Sequence, residues 1–142
     1  MKDKYNLQRF VSRQNVIYED VIKELENGRK VSCWMWYIFP QVKGLGSSTT
    51  DREFSIKSGE EAKAYLDHPL LGERLKQCTQ VVIEIEGLTA NEIFGYPDYL
   101  KFKSCMSLFS VIERKGNIFE TALSKYYEGE TDDKTLRFLE SV

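Results

Sequence analysis

Pro69-Leu-Leu-Gly-Glu-Arg-Leu-Lys-Gln-Cys-Thr-Gln-Val-Val-Ile-Glu-Ile-Glu86 decides the fold class of this 142-residue chain. Leu71, Leu75, Cys78, Val82 and Ile85 recur at steps of four, three, four and three, which predicts one helix over 69–86, the longest in the chain. The end of that stretch, Val81 to Glu86, also alternates apolar and acidic side chains and carries β-branched residues, the pattern of a half-buried strand. A strand at that end therefore stays open beside the helix.

Upstream, Leu7, Phe10 and Val11, then Ile17, Tyr18, Val21, Ile22 and Leu25, mark two amphipathic helices, the second closed by Asn27-Gly28. Ser58 caps a helix ending near Asp67, with Glu60 and Glu61 in the first turn where the helix dipole favours acids. Downstream, Thr89-Ala-Asn-Glu92 is a capping box that opens a short turn to Phe94. Pro97-Asp98 starts a helix whose inward face is Phe102, Cys105, Met106, Phe109 and Ile112. Asn117 caps a helix carrying Phe119, Ala122, Leu123 and Tyr126, and Thr131-Asp-Asp133 begins a last one through Leu136 and Leu139. Helical spacing recurs in nearly every segment, so the expected fold is all-α: a compact multihelical single domain over residues 1–142. One long irregular loop, residues 40–57, follows an aromatic segment, and connections of that kind often carry function.

Composition excludes several classes. A chain with 42% hydrophobic and 30% charged residues is an ordinary globular protein rather than a disordered one. The net charge is −2 and the basic residues are interleaved with acidic ones, so duplex nucleic acid is not an expected partner. The N-terminal residues have no apolar signal region, and no apolar run is long enough to span a membrane, so no membrane partner is expected. Cys33, Cys78 and Cys105 are widely spaced and form no Cys-x-x-Cys pair, which fits a reducing compartment; the expected location is cytoplasmic. His68 is the single histidine, and no ligand spacing surrounds it, so neither a metal nor a cofactor is expected. Its position between a helix and Pro69 reads as an exposed or cap-like residue.

Chemistry concentrates in Ser32-Cys-Trp-Met-Trp-Tyr-Ile-Phe-Pro-Gln41 and the loop Gly44-Leu-Gly-Ser-Ser48 that follows. Both tryptophans of the chain, Trp34 and Trp36, lie there. Aromatic faces of this kind either fill a core or stack a planar ligand, at about 1–3 kcal/mol per stacked base. A helical turn and an extended segment distribute Trp34, Trp36, Tyr37 and Phe39 differently, and either leaves one group for the core and another for a cleft. Gln41 has an amide that can read a polar edge. Gly44, Gly46, Ser47 and Ser48 form a small-residue loop in which backbone N–H groups can approach an anion, although the pattern is neither a Walker loop nor a dinucleotide fingerprint. Lys101 and Ser104, three residues apart on a helix, form an anion-binding pair or a solvated face. Cys33, beside the aromatic run, is the candidate reactive thiol, whereas Cys78 and Cys105 fall on apolar helix faces.

Taken together, Leu7-Gln-Arg-Phe10, Gly28-Arg-Lys30, the 32–41 segment, Gly44 to Ser48, His68-Pro69, Ile93-Phe-Gly95, Asp98, Lys101, Ser104 and Thr135-Leu136 closely resemble the bacterial family called domain of unknown function 1810. The resemblance spans nearly the whole chain and is carried most specifically by Trp34-Met-Trp36 and Ile38-Phe-Pro-Gln41. It implies a mainly helical fold. Through related domains that accompany macro domains, it also implies nucleotide-sugar or ADP-ribose chemistry. The family usually reads Ser-His-Trp where this chain has Ser32-Cys33-Trp34, and a thiol differs from imidazole in reach and acidity.

The functional expectation is a domain binding a small anionic, nucleotide-like ligand among Trp34, Trp36, Gln41, Gly44, Gly46, Ser47, Ser48, Lys101 and Ser104. The alternative is a non-enzymatic interaction or homo-oligomerisation module that uses the aromatic segment as its anchor. Nothing in the pattern fixes an oligomeric state or a catalytic reaction.

Overall fold

Asp3 starts the chain's first helix, accepting hydrogen bonds from the backbone N–H groups of Leu7 at 2.7 Å and Gln8 at 2.8 Å. These carboxylate contacts satisfy donors that a helix N-terminus leaves without a partner. The structure is a computed structural model that describes residues 2–141. The helix that follows, α1 (Gln8–Glu26), is continuous over 19 residues where the apolar pattern predicts two helices. No Gly or Pro interrupts the interval between the two apolar groups, and the buried Gln14 bridges them on one face. Gln14 donates to the Tyr37 carbonyl at 2.7 Å and the Tyr65 hydroxyl at 3.1 Å, which makes a polar residue acceptable on the inward stripe.

Eight further helices follow among the described residues: α2 (Met35–Ile38), α3 (Thr49–Glu53), α4 (Gly59–Asp67), α5 (Leu71–Glu84), α6 (Ala90–Phe94), α7 (Asp98–Ile112), α8 (Ile118–Tyr127) and α9 (Asp133–Ser141). The fold is an all-helical single multihelical domain with no sheet among the described residues; Val42 and Ile56 make one isolated parallel bridge. The caps read from sequence are present. Ser58, Thr89 and Asn117 each accept from the backbone N–H three residues on, and the last two form full capping boxes.

Over 69–86 the helical period wins. α5 runs to Glu84 and Ile85 is extended, but no strand pairs with it. The exposed end is instead tied down by Lys125, whose ammonium donates to the carbonyls of Ile83 and Ile85. At 14 residues α5 is shorter than α1 and than the 15-residue α7, so it is not the longest helix. His68 and Pro69 separate it from α4. The His68 Nδ1 accepts from Leu70 N–H at 3.1 Å and Leu71 N–H at 3.2 Å, which makes this histidine the cap that turns one helix into the next.

α7 is the axis of the domain. It packs against α4, α6, α8 and α9, while α5 packs against α1, α4 and α8. Phe102 and the run Ser104 to Phe109 are all buried, as expected of a helix with neighbours on every side. Its serines are accommodated by bonding back along the helix: Ser104 Oγ donates to the Leu100 carbonyl at 3.1 Å and Ser107 Oγ to that of Lys103 at 2.8 Å.

The α4–α5 crossing is equally close. A Cβ placed on Gly72 would lie 2.0 Å from the Leu66 carbonyl oxygen, so only glycine permits this approach. Gly72→Ala is expected to destabilise the domain by about 1–3 kcal/mol, the usual range for overpacking. A urea-unfolding midpoint unchanged from the natural protein would contradict the assignment of this contact.

Candidate functional site

The aromatic segment is a single helical turn, α2, too short to hold itself and fixed by what its side chains meet. Trp34 and Phe39 are each 1% exposed, and Met35 and Ile38 are also buried. Phe39 makes edge contacts with Phe94 at 6.0 Å and Phe102 at 4.9 Å between ring centroids, wedging the turn against α6 and α7. Trp36 is left half-buried at the surface of the wedge, with Tyr37 tilted against it and Tyr37 in turn edge-on to Phe54 at 4.8 Å. The segment therefore serves both purposes: Trp34 is core and Trp36 is rim.

Glu24, from the last turns of α1, holds the approach to this turn. Its Oε1 accepts from Val31 N–H at 2.7 Å, Ser32 N–H at 3.0 Å and Trp34 Nε1 at 2.9 Å, while Oε2 accepts from Ser32 Oγ at 2.6 Å. Burial works to raise its pKa, but the hydrogen bonds from Ser32, Val31 and Trp34 outweigh it and draw the carboxyl down to about 2. Cys33 sits on this tethered loop with its thiol exposed, whereas Cys78 and Cys105 are buried. Burial pushes the Cys78 thiol up to about 12, and it pushes that of Cys105 up as well.

Asp51 organises the other wall. The stretch Ser48-Thr-Thr-Asp51 is a capping box that opens α3 inside the 40–57 loop. Asp51 Oδ2 accepts from Ser48 N–H at 3.1 Å and Ser48 Oγ at 2.7 Å, while Oδ1 accepts from Trp36 Nε1 at 2.9 Å. Burial opposes its charge, yet the Ser48 bonds, the Lys101 ammonium and the Trp36 bond keep the carboxyl below the usual carboxylate range. Gly46 packs directly on this carboxylate, since a Cβ there would fall 2.3 Å from Asp51 Cγ. Gly44 has φ +96° and meets nothing nearby, so its glycine serves the turn itself. The glycine-serine loop thus wraps around an anion, and that anion is the chain's own aspartate.

Lys101 closes the arrangement from α7. Its Nζ lies 5.2 Å from the centroid of the Trp36 ring, 3.8 Å from Asp51 Oδ1 and 4.0 Å from Asp98 Oδ1. Both carboxylate separations exceed hydrogen-bond length. Asp98 is engaged on its other side by Lys30, at 2.8 Å, and Lys30 lies 5.2 Å from the centroid of Trp34. Charges therefore alternate along Lys30, Asp98, Lys101 and Asp51. Trp36, Pro40, Gln41, Asp51, Ser55 and Lys101 line a narrow cleft of about 10 Å³, room for one water-sized group. Wider grooves of about 770 Å³ near Lys103 and Arg137 and about 620 Å³ beside His68 are more open to solvent. The small cleft is the better candidate, because it joins an indole, an amide and a partly buried cation with unclaimed donors.

The chain belongs to the DUF1810 family. The family description, protein of unknown function, matches residues 4–139. Among solved structures, the conserved hypothetical protein Rv1873 from Mycobacterium tuberculosis is 46% identical, with a TM-score of 0.95 over 97% of this chain and 99% of that one. No curated protein matches the chain.

Of the residues expected at a site, the fold brings Trp36, Gln41, Gly46, Ser48 and Lys101 to one place. Trp34 is turned into the core, and Ser104, 6% exposed and bonded to Leu100, faces inward too. Ser47 is exposed beside the loop, its carbonyl accepting from Arg52 at 2.7 Å. The acids Glu24, Asp51 and Asp98 and the cation Lys30 are structural discoveries, although Ser48-Thr-Thr-Asp51 carries the legible pattern of a capping box. Among the described residues no three His, Cys, Asp or Glu side chains converge as a metal site, and no helix is long and apolar enough to cross a membrane.

The Glu24 arrangement has a defined pH signature. A carboxyl held at about 2, below its ordinary value of 4.5, contributes stability that is complete above 4.5 and is lost as pH falls toward 2. Glu24→Gln is expected to cost about 1–3 kcal/mol at neutral pH, because the amide oxygen that replaces Oε1 is uncharged and Ser32 Oγ loses Oε2 as its acceptor. The gap between the natural and variant proteins should shrink as pH falls through that window; a gap constant with pH in urea titrations would refute the role given to this carboxylate.

Proposed function

We propose that this protein is a cytosolic binding domain for a small, nucleotide-like ligand that presents an anionic group to Lys101. The observation that carries this reading is the state of the Lys101 ammonium. It is partly buried, with its side chain 20% exposed, and it lies against an indole with two carboxylates near enough to balance its charge. Neither carboxylate is close enough to consume its hydrogen-bond donors, and Asp51 is already occupied by Ser48 and Trp36. An anionic oxygen entering the cleft would take those donors in charge-assisted hydrogen bonds. The cleft has room for such an oxygen and leaves the remainder of the ligand outside, beside the Gln41 amide. ADP-ribose, which the family resemblance implies, is nucleotide-like but carries a pyrophosphate; among related compounds, those that present a lone phosphate match the single cation of the cleft best.

The expected result is quenching or shifting of tryptophan fluorescence and a rise in melting temperature with AMP, ADP or ADP-ribose at millimolar concentration. Lys101→Met should abolish both responses while keeping the helical circular dichroism. No response of the natural protein to this panel would defeat the reading.

A second reading has its own support. Tyr96, 77% exposed, and Leu100, 43% exposed, are apolar residues on either side of Asp98, and exposed tyrosines commonly anchor protein interfaces. On this reading the protein self-associates, and sedimentation velocity should show a concentration-dependent species that Tyr96→Ser with Leu100→Ser abolishes. Monomeric sedimentation at all concentrations would remove it.

A further inference from the structure

We propose that Asp51 sets the charge the cleft accepts, favouring ligands that present a single anionic group and disfavouring those with two adjacent phosphates. The inference rests on the anion-binding reading of the same cleft and deepens it. Lys30 is paired with Asp98 at 2.8 Å, which leaves Lys101 facing Asp51 at 3.8 Å as the charges nearest the cavity. Lys101 is the single cation among the residues that line the cleft. One incoming phosphate therefore meets one ammonium, and a second adjacent phosphate adds its charge beside the Asp51 carboxylate with no further lysine or arginine in the lining to offset it.

Asp51 is also built so that it does not swing aside. Both of its oxygens are held, one by the Trp36 indole N–H and the other by the Ser48 backbone N–H and hydroxyl. Moving the carboxylate would leave a partly buried indole donor without an acceptor and would undo the cap of α3. The Gly46 backbone packs against the same carboxylate, so closely that a Cβ there would fall 2.3 Å from Asp51 Cγ. A carboxylate fixed in this way acts as a permanent counter-charge beside Lys101, and it is a specificity determinant rather than a ligand contact. The same geometry explains why the loop has small residues without being a phosphate cradle: Asp51 already fills that position.

The test compares AMP with ADP, and inorganic phosphate with pyrophosphate, by isothermal titration of the natural protein and of Asp51→Asn. Asparagine keeps an acceptor for the Trp36 indole and removes the charge. The natural protein is expected to bind AMP on the order of tenfold more tightly than ADP, and Asp51→Asn to reduce that ratio toward one. Equal or tighter binding of ADP by the natural protein overturns the inference, as does an AMP/ADP ratio unchanged in the variant. Should Asp51→Asn fail to fold, the nucleotide and phosphate ratios of the natural protein decide the matter alone. Binding of neither nucleotide removes the anion-site reading and this inference with it, whereas equal binding of both that is lost in Lys101→Met removes the inference and leaves the site.

Discussion

The edge-on packing of Phe39 against the stacked rings of Phe94 and Phe102 is the contact on which the rest of this structure depends. It joins a four-residue turn, which has no stability of its own, to the two helices at the centre of the domain. The order of the following segment is hung from that wedge. Pro40 ends the turn, the Gln41 carbonyl accepts from Ile56 N–H at 2.9 Å, and the Lys43 N–H donates to the Ile56 carbonyl at 2.9 Å. The 40–57 loop is thereby returned to where it started, and α3 is brought over Trp36.

From the other side, Arg9 secures the same loop. Its guanidinium donates to the carbonyls of Glu53 at 2.9 Å and Ser55 at 3.0 Å and to the Glu61 carboxylate at 2.8 Å, while lying over the Phe10 ring. Arginine suits this position because its planar fork can address several acceptors at once. Glu61 is itself buried, with its Oε1 accepting from Lys57 N–H at 2.9 Å, so a charge removed from water is matched on all sides. The loop that looks irregular in outline is thus a folded element, closed by an aromatic wedge at its start and an arginine clip near its end. The two charged residues that line the cleft, Asp51 and Lys101, come from separate segments, which is why they form no motif together.

Most of the helical architecture is legible in the order of residues. Caps at Ser58, Thr89 and Asn117 are short-range chemistry, and the apolar spacing of α5, α7 and α8 reports a core that lies to one side or around each helix. Where pattern and structure part, the cause is a partner remote in the chain. The division of α1 in two follows from Gln14, a polar residue at an inward position whose partners, Tyr37 and Tyr65, are distant in sequence. The alternation from Val81 to Glu86, strand-like on paper, lies at the end of a helix whose final carbonyls are taken by Lys125, far along the chain. The site was legible in part: the aromatic run, the glycine-serine loop and Lys101 carry recognisable chemistry, but Ser104 shares a helix with Lys101 and points to the core.

By itself, the sequence determined the all-helical class, the caps at Ser58, Thr89 and Asn117, and the family, because these follow from local spacing and from residues that act within a few positions of one another. Only the tertiary structure decided that Trp34 is core and Trp36 is rim, that Asp51 occupies the centre of the glycine-serine loop, and that Lys30, Asp98, Lys101 and Asp51 form one alternating series. Those facts depend on distances between segments remote in the chain, and hydrophobic spacing carries no record of which charge will face which. The physical reason is the same in each case: periodicity tells a helix which side to bury, whereas packing chooses the neighbour.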